Sequence, residues 1–274
     1  MSEQNFFNYD STGVNKLSFF SRDLFHISTA CPGRDINQDS SALIEVNDDL
    51  GVIIVADGMG GYEKGERASR MAIEIVEKKL KLISSGKKNM DDVPTLVLEA
   101  LDEAHQEIKN AKFQGGTTFS LSEIRSDFIR LYNLGDSFGL LLGSRGLVKY
   151  RTIDDSITGH GIESGLLSEE KALVHDEGHI ITNALGLDDF RVEVSCRLIP
   201  AKTDFLFMAS DGVSANLTTD QISEILASGP TEEKLKNLHQ RVRELMLNES
   251  SKVGSPDDLT CFLLAPRQLR GEET

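Results

Sequence analysis

Cysteine is scarce in this chain, and positive charge is outnumbered. Its 274 residues include three cysteines, Cys31, Cys196 and Cys261. They are far apart, odd in number and outside any CxxC spacing, which argues against both a disulfide framework and a zinc site. A reducing, cytoplasmic setting is therefore expected. Lysine and arginine total 29 against 44 aspartates and glutamates, a formal net charge of -15. Neutralising nucleic-acid phosphates or an anionic bilayer takes a basic surface, so neither is expected as a partner. An acidic chain can still hold phosphate through bound cations. No Pro/Ser/Gly-rich linker, internal repeat or low-complexity tract divides the sequence, which reads as one domain. The start has no charged segment leading into an apolar one, and no apolar run approaches membrane-spanning length.

The remaining composition, 39% hydrophobic and 27% charged, is that of an ordinary globular protein. Its organising stretch is residues 51–69, GVIIVADGMGGYEKGERAS. The first six residues are apolar and rich in β-branched types, as in a strand buried on both faces. They end at Asp57, and Gly58, Gly60 and Gly61 allow a sharp turn and close backbone approach. The device recurs. Residues 205–209 run into Ser210-Asp211-Gly212, and residues 129–134 run into Gly135-Asp136-Ser137; Asp257-Asp258 stands just before the apolar run 259–264. One Asp-Gly after a strand signals only a turn. Four acidic strand ends suggest oxygen ligands gathered from distant parts of a sheet system, the donor type that hard cations such as Mg²⁺ or Mn²⁺ prefer.

Along the chain, residues 1–16 lack periodicity and read as a loosely ordered leader. Strands at 24–30 and 41–46 flank the loop 31–40 and predict a hairpin with Arg34 in its loop. Apolar residues at helical spacing predict helices from about Ala68 to Ile83 and from Val93 to Ala111. Strands at 117–124, 128–134, 138–142 and 147–151 read as an antiparallel meander. The polar excursion 152–189 breaks the rhythm and reads as a lid or binding loop. It holds one short helix at 168–174, with Ser168 as N-cap and Glu169 and Glu170 as solvated first-turn residues. Strands at 192–198 and 204–209 follow, then a capping box at Thr218 and Gln221, a helix marked by Leu235, Leu238, Val242 and Leu245, and a last strand. The order predicts an α+β layered domain, antiparallel sheet inside and helices outside.

If Asp57, Asp211 and Asp257 meet, their charges repel unless a metal or a shared proton intervenes. Two metals sharing Asp57 would lower the pKa of a bridging water, and the hydroxide would attack phosphorus in line. Arg34 offers a planar, two-pronged donor for phosphate oxygens. His175 and His179 are four apart, but Gly178 between them and the absence of an HExxH pattern favour a loop role.

These residues resemble the metal-dependent serine/threonine protein phosphatase family, type 2C, in its bacterial form. Residues 34–39 (RDINQD) look like its first motif, and residues 55–61 (VADGMGG) with Gly65, Glu66, Ala68 and Ser69 like its second. GTT at 116–118, NLGDS at 133–137, ASDG at 209–212 and DDLT at 257–260 resemble later motifs in order, and residues 175–186 look like the end of the family's flap. The resemblance covers about residues 24–265 and implies a four-layer αββα sandwich, two antiparallel sheets flanked by helices. The catalytic domain would span 17–268, with a flap at about 152–189 and a tail at 269–274. It also implies a centre of two Mn²⁺ or Mg²⁺ ions with a third, weaker one. Asp57 would bridge two ions, the Gly58 carbonyl would bind one, and Asp211 and Asp257 would complete the other. Asp39 would steady metal-bound water, Asp136 would help hold the third ion, and Arg34 would bind substrate phosphate. Phosphorylated proteins would be the substrates, with a cognate Ser/Thr kinase as natural partner. The sequence departs from the family at Gln38 (usually Glu), Met59 (His in animal members), Tyr62 (usually His) and Asp258 (usually Asn). Two readings follow: a phosphoserine/phosphothreonine phosphatase, or a catalytically weak module of the same fold that senses a phosphorylated partner.

Overall fold

The structure, a computed structural model, describes residues 2–7, 9–60, 64–111, 115–248 and 254–266. The strands begin with β1 (Ser2–Phe7), β2 (Asn15–Phe19), β3 (Arg22–Thr29), β4 (Ser40–Glu45), β5 (Gly51–Ala56) and β6 (Gly58–Met59). Helices α1 (Lys64–Ser84) and α2 (Val93–Asn110) follow, then β7 (Gly116–Thr117), β8 (Phe119–Ile124), β9 (Ile129–Leu134), β10 (Phe138–Leu142) and β11 (Val148–Arg151). Beyond them come α3 (Ile157–Glu163), α4 (Glu169–Ala172), β12 (Glu193–Val194) and β13 (Phe205–Ala209). The chain continues with α5 (Asp211–Ser214), α6 (Thr219–Ala227), α7 (Thr231–Met246) and β14 (Leu259–Leu264).

One sheet has the order β1-β4-β5-β8-β9-β12, the other β11-β10-β13-β14-β3-β2, and β6 and β7 form a short ribbon. Every pairing is antiparallel. The layering follows from side-chain alternation along buried strands. In β5, Val52 and Ile54 face the helices, packing with Ala68, Val76, Val97 and Leu101, while Ile53 and Val55 face the second sheet, with Leu24, Leu131, Met208 and Phe262. In β14, Leu259, Cys261 and Leu263 turn to the outer layer that holds Leu226, Leu235, Leu238 and Val242. The result is the expected α+β sandwich: α1 and α2, two sheets, then α6 and α7.

Several expectations met a different outcome. The leader contributes β1, which pairs with β4 from Ser2↔Glu45 to Phe7↔Ser40, and β2 starts at Asn15. The supposed hairpin at 24–46 is a crossover: β3 lies between β14 and β2, whereas β4 lies between β1 and β5. The meander likewise splits, β8–β9 in one sheet and β10–β11 in the other, with residues 135–137 crossing between them. Strand 192–198 shrinks to β12 plus a bridge between Ile129 and Leu198. The excursion also contains α3, capped by Ser156, whose Oγ accepts from Gly159 N at 2.9 Å. The capping box at Thr218 and Gln221 is formed on α6. Gly61, Tyr62 and the tail 269–274 lie outside the described residues. Among those described, no helix is long and apolar enough to cross a membrane.

Candidate active site

Where β5 leaves its sheet, the backbone of Asp57 is clamped. Its N–H donates to Thr118 Oγ1 at 3.0 Å, and its carbonyl accepts from Thr118 N at 2.9 Å and from Thr117 Oγ1 at 2.8 Å. Thr118 in turn contacts Ser137 Oγ at 2.7 Å, on the segment that crosses between the sheets. Beyond Asp57 the main chain runs against two other backbones. A Cβ on Gly58 would fall 2.2 Å from Gly65 O and 2.7 Å from Gln38 O, so only glycine lets the start of α1 and the 31–39 loop close on Asp57.

That loop is tethered by Asp258, which is 2% exposed. Its carboxylate accepts from Cys31 N and from Gln38 N, both at 2.7 Å. Arg34 therefore rides on a loop fixed at both ends. Its Nη1 lies 3.4 Å from Asp257 Oδ1, with the two side chains 49% and 35% exposed. Such an open, long ion pair holds little energy, so the guanidinium is free to exchange its partner.

The acidic groups converge from four parts of the chain. Asp39 Oδ2 accepts from Ser210 Oγ at 2.7 Å, and Ser210 is fixed on β14 through Thr260. Gly212 lets α5 press on the 257–258 segment, since a Cβ there would meet Asp258 O at 2.0 Å. Burial, then the charges of Asp39, Asp211 and Asp257, push the Asp57 carboxyl well above the ordinary aspartate range. Burial and Asp257 push Asp211 up to about 7. Asp57 and Asp211 share a side-chain hydrogen bond that raises the first and lowers the second, so the two carboxyls titrate as a pair. Asp39 is also raised, by burial and then by Asp258, and Asp257 is raised by burial.

One oxygen each of Asp39, Asp136 and Asp211 is buried without a hydrogen-bond partner. Among the described residues, no three acidic, imidazole or thiol side chains are closed around one metal-binding point. The carboxylates are thus gathered by the backbone against their mutual repulsion, yet stand apart as ligands. Orphaned carboxylate oxygens of this kind suit a hard divalent cation.

Two cavities meet at this cluster. A cleft of about 610 Å³ is lined by Arg34, Gln38, Asp57, Gly58, Asp211 and Asp257, with Met59 and His179 on its walls. A smaller one, about 170 Å³, shares Asp211, Asp257 and His179 but contains Asp136 and Asp154. Arg34, Asp57, Gly58, Asp211 and Asp257 thus come together in the cleft. Asp39 lies buried beside it, and Asp136 falls in the adjoining cavity with its carboxyl raised by burial and then by Asp211 and Asp154. Asp154 was missed by sequence reasoning, as was the tethering role of Asp258; His179, read there as a loop residue, lies on the flap. Only the adjacent Asp154-Asp155 and Asp257-Asp258 pairs offered a signal. Glu169 is no solvated cap: it receives hydrogen bonds from Arg151 and from Thr219.

The profile of the protein phosphatase 2C family matches residues 32–263. The chain belongs to the protein phosphatase 2C family. Among curated relatives it is similar to the serine/threonine phosphatase stp of Listeria monocytogenes, 27% identical over 238 residues, 84% of this chain and 90% of that one. Among solved structures it resembles the S. agalactiae serine/threonine phosphatase, with a TM-score of 0.75 at 22% identity over 89% of this chain and 99% of the other. It also resembles the catalytic domain of the serine/threonine protein phosphatase PstP, a structure described as in complex with 2 manganese ions, with a TM-score of 0.68 at 21% identity over 89% and 98%. At that identity the structural likenesses speak for the phosphatase 2C fold, including the paired sheets and flanking helices.

Proposed function

We propose that this member of the phosphatase 2C family hydrolyses phosphoserine and phosphothreonine esters on proteins, using Mn²⁺ or Mg²⁺ held by Asp57, the Gly58 carbonyl, Asp211 and Asp257. In this reading Asp39 orients solvent beside the ions and Asp136 helps hold a further one. Family membership makes the chain a protein phosphatase, and relatives named serine/threonine phosphatases support hydroxyl amino acids as the phosphate carriers. The observation that carries the metal is that Asp211, on the cleft wall with Arg34, and Asp39 and Asp136 behind it each keep a buried carboxylate oxygen without a hydrogen-bond partner.

When bound, a divalent ion in the cluster would supply positive charge and acidify nearby solvent. The chain's own residues do the rest. Arg34 exchanges its loose contact with Asp257 for the phosphoryl oxygens, which it grips with two parallel N–H donors. Asp258 fixes the height of the Arg34 loop, and the Thr117–Thr118 clamp fixes Asp57. Ser210 occupies one oxygen of Asp39 and leaves the other free to orient solvent. Phosphorylated proteins are the substrates, and the kinase that modifies them is the natural partner. The free, buried Cys31 and Cys261 fit a reducing, cytoplasmic compartment.

Phosphate release from a phosphothreonine peptide with added Mn²⁺ tests this. Wild type should turn over, and Asp211→Asn should be slower by at least tenfold. Equal rates for the two proteins would refute the proposed ligand set.

A further inference from the structure

Helix α4, in the middle of the flap, buries no side chain. It rests lightly on α3, with Ala172 half-buried. Its polar anchor is one carboxylate in its first turn. Glu169 Oε1 accepts from Arg151 Nη1 at 3.2 Å and from Thr219 Oγ1 at 2.8 Å, and Oε2 accepts from Thr219 N. The partners are fixed independently of the flap. Arg151 ends β11, its guanidinium 5.1 Å from the ring of the buried Phe138. Thr219 opens α6, whose first N–H groups have no partner within their own helix.

From Glu169 a continuous series of turns leads to the cleft. Leu173 N bonds Glu169 O at 3.1 Å, His175 N bonds Ala172 O at 3.1 Å, Gly178 N bonds His175 O at 3.0 Å and Ile180 N bonds Glu177 O at 3.1 Å. The series delivers His179 and Ile181 to the wall of the cleft that holds Arg34, Asp57 and Asp211. The far end of the flap has its own anchor from Ile180 onward: Ile157 N bonds Ile180 O at 3.0 Å, Ser156 bridges Ile181, Thr182 N bonds Asp155 O at 2.7 Å and Arg191 Nη2 meets Asp155 Oδ1 at 2.7 Å.

We propose that Glu169 is a positioning residue: by latching α4 to Arg151 and Thr219 it sets the height of residues 173–179 over the cleft, and so governs the fit of a phosphopeptide rather than the chemistry at phosphorus. This rests on the phosphatase reading above. A small aryl phosphate needs only the cleft floor, whereas a peptide must also pass the flap wall. Loss of the latch therefore separates the two substrates.

The test is Glu169→Gln in the full chain with Mn²⁺, assayed on a phosphothreonine peptide and on p-nitrophenyl phosphate, alongside amide exchange over residues 169–181. The expected result is a peptide KM raised about tenfold with kcat within about twofold, aryl phosphate kinetics within about twofold, and faster exchange at Leu173 and His175. Thr219→Val should raise the peptide KM similarly, Thr219→Ser should restore it, and the double variant should be no worse than either single one. Equal losses on both substrates, unchanged peptide KM, or additive effects in the double variant would each overturn the latch. A wild type inactive on both substrates would instead sink the phosphatase reading, and unchanged exchange in Glu169→Gln would still refute the latch by itself.

Discussion

Asp211→Asn removes a proton site and leaves the side-chain shape nearly unchanged, so its effect on folding isolates the electrostatics of the cluster. In the metal-free protein the Asp211 carboxyl is pushed up to about 7, by burial first and by Asp257 second. In the unfolded chain an aspartate titrates at about 3.9. Between those values the native state keeps a proton that the unfolded chain has released, so the stability from this site is complete below about pH 4 and is lost as pH rises toward about 7. Over the roughly three pH units between those values, at about 1.4 kcal/mol per pH unit, the loss comes to about 4 kcal/mol, shared with Asp57 because the pair titrates together. The amide carries no such dependence. Urea unfolding of chelator-treated protein should therefore find the variant and wild type alike at about pH 4, with the variant ahead by about 4 kcal/mol at about pH 8. The chain has no tryptophan, so far-ultraviolet circular dichroism is the suitable probe. Saturating Mn²⁺ should reverse the order, since the variant lacks a ligand. Parallel stability curves for the two metal-free proteins would refute the reasoning.

For the same reason Mn²⁺ affinity, followed by calorimetry, should rise with pH through the titration of Asp211, with protons released on binding; an affinity independent of pH would count against shared protons in the cluster. Gly58→Ala should lower stability by about 3 kcal/mol in urea unfolding, because its methyl would fall 2.2 Å from Gly65 O. Asp258→Ala should cost about 2–5 kcal/mol, since two buried N–H groups lose their acceptor, and amide exchange at Cys31 and Gln38 should accelerate. Arg34→Ala should leave stability within about 0.5 kcal/mol, as an exposed pair at long range allows, while the KM for a phosphopeptide rises at least tenfold.

Much of this fold was legible because single elements carry their own period. Strand β5 announced itself by six apolar residues stopped by Asp57-Gly58, α1 and α2 by their apolar faces, and α6 by its capping box. Sheet membership was not legible. Strands β3, β4, β8, β9, β10 and β14 are buried along nearly their whole length, so nothing in their composition marks which sheet each joins, and a crossover looks like a hairpin. The short, half-polar β1 owes its form to backbone pairing with β4, which periodicity does not report. In the site, Asp57, Asp211 and Asp257 could be read because each ends or precedes a buried strand beside a turn. Asp258 could not, because its partners are backbone N–H groups more than 200 residues away in the chain and leave no side-chain signature. Glu169 was misread for a similar reason, since its role lies in what α6 and Arg151 offer rather than in its own helix.

Strand β14 sits between β13 and β3 in the second sheet and brings Asp257 and Asp258 with it. During synthesis that sheet stays split, with a vacant slot at its centre, until residues 259–264 have left the ribosome. The tether on the Arg34 loop arrives with the same strand, so Asp257 and the anchor of that loop reach the cleft together in a single late step. A chain cut before that strand should therefore lack both a closed second sheet and a formed cleft.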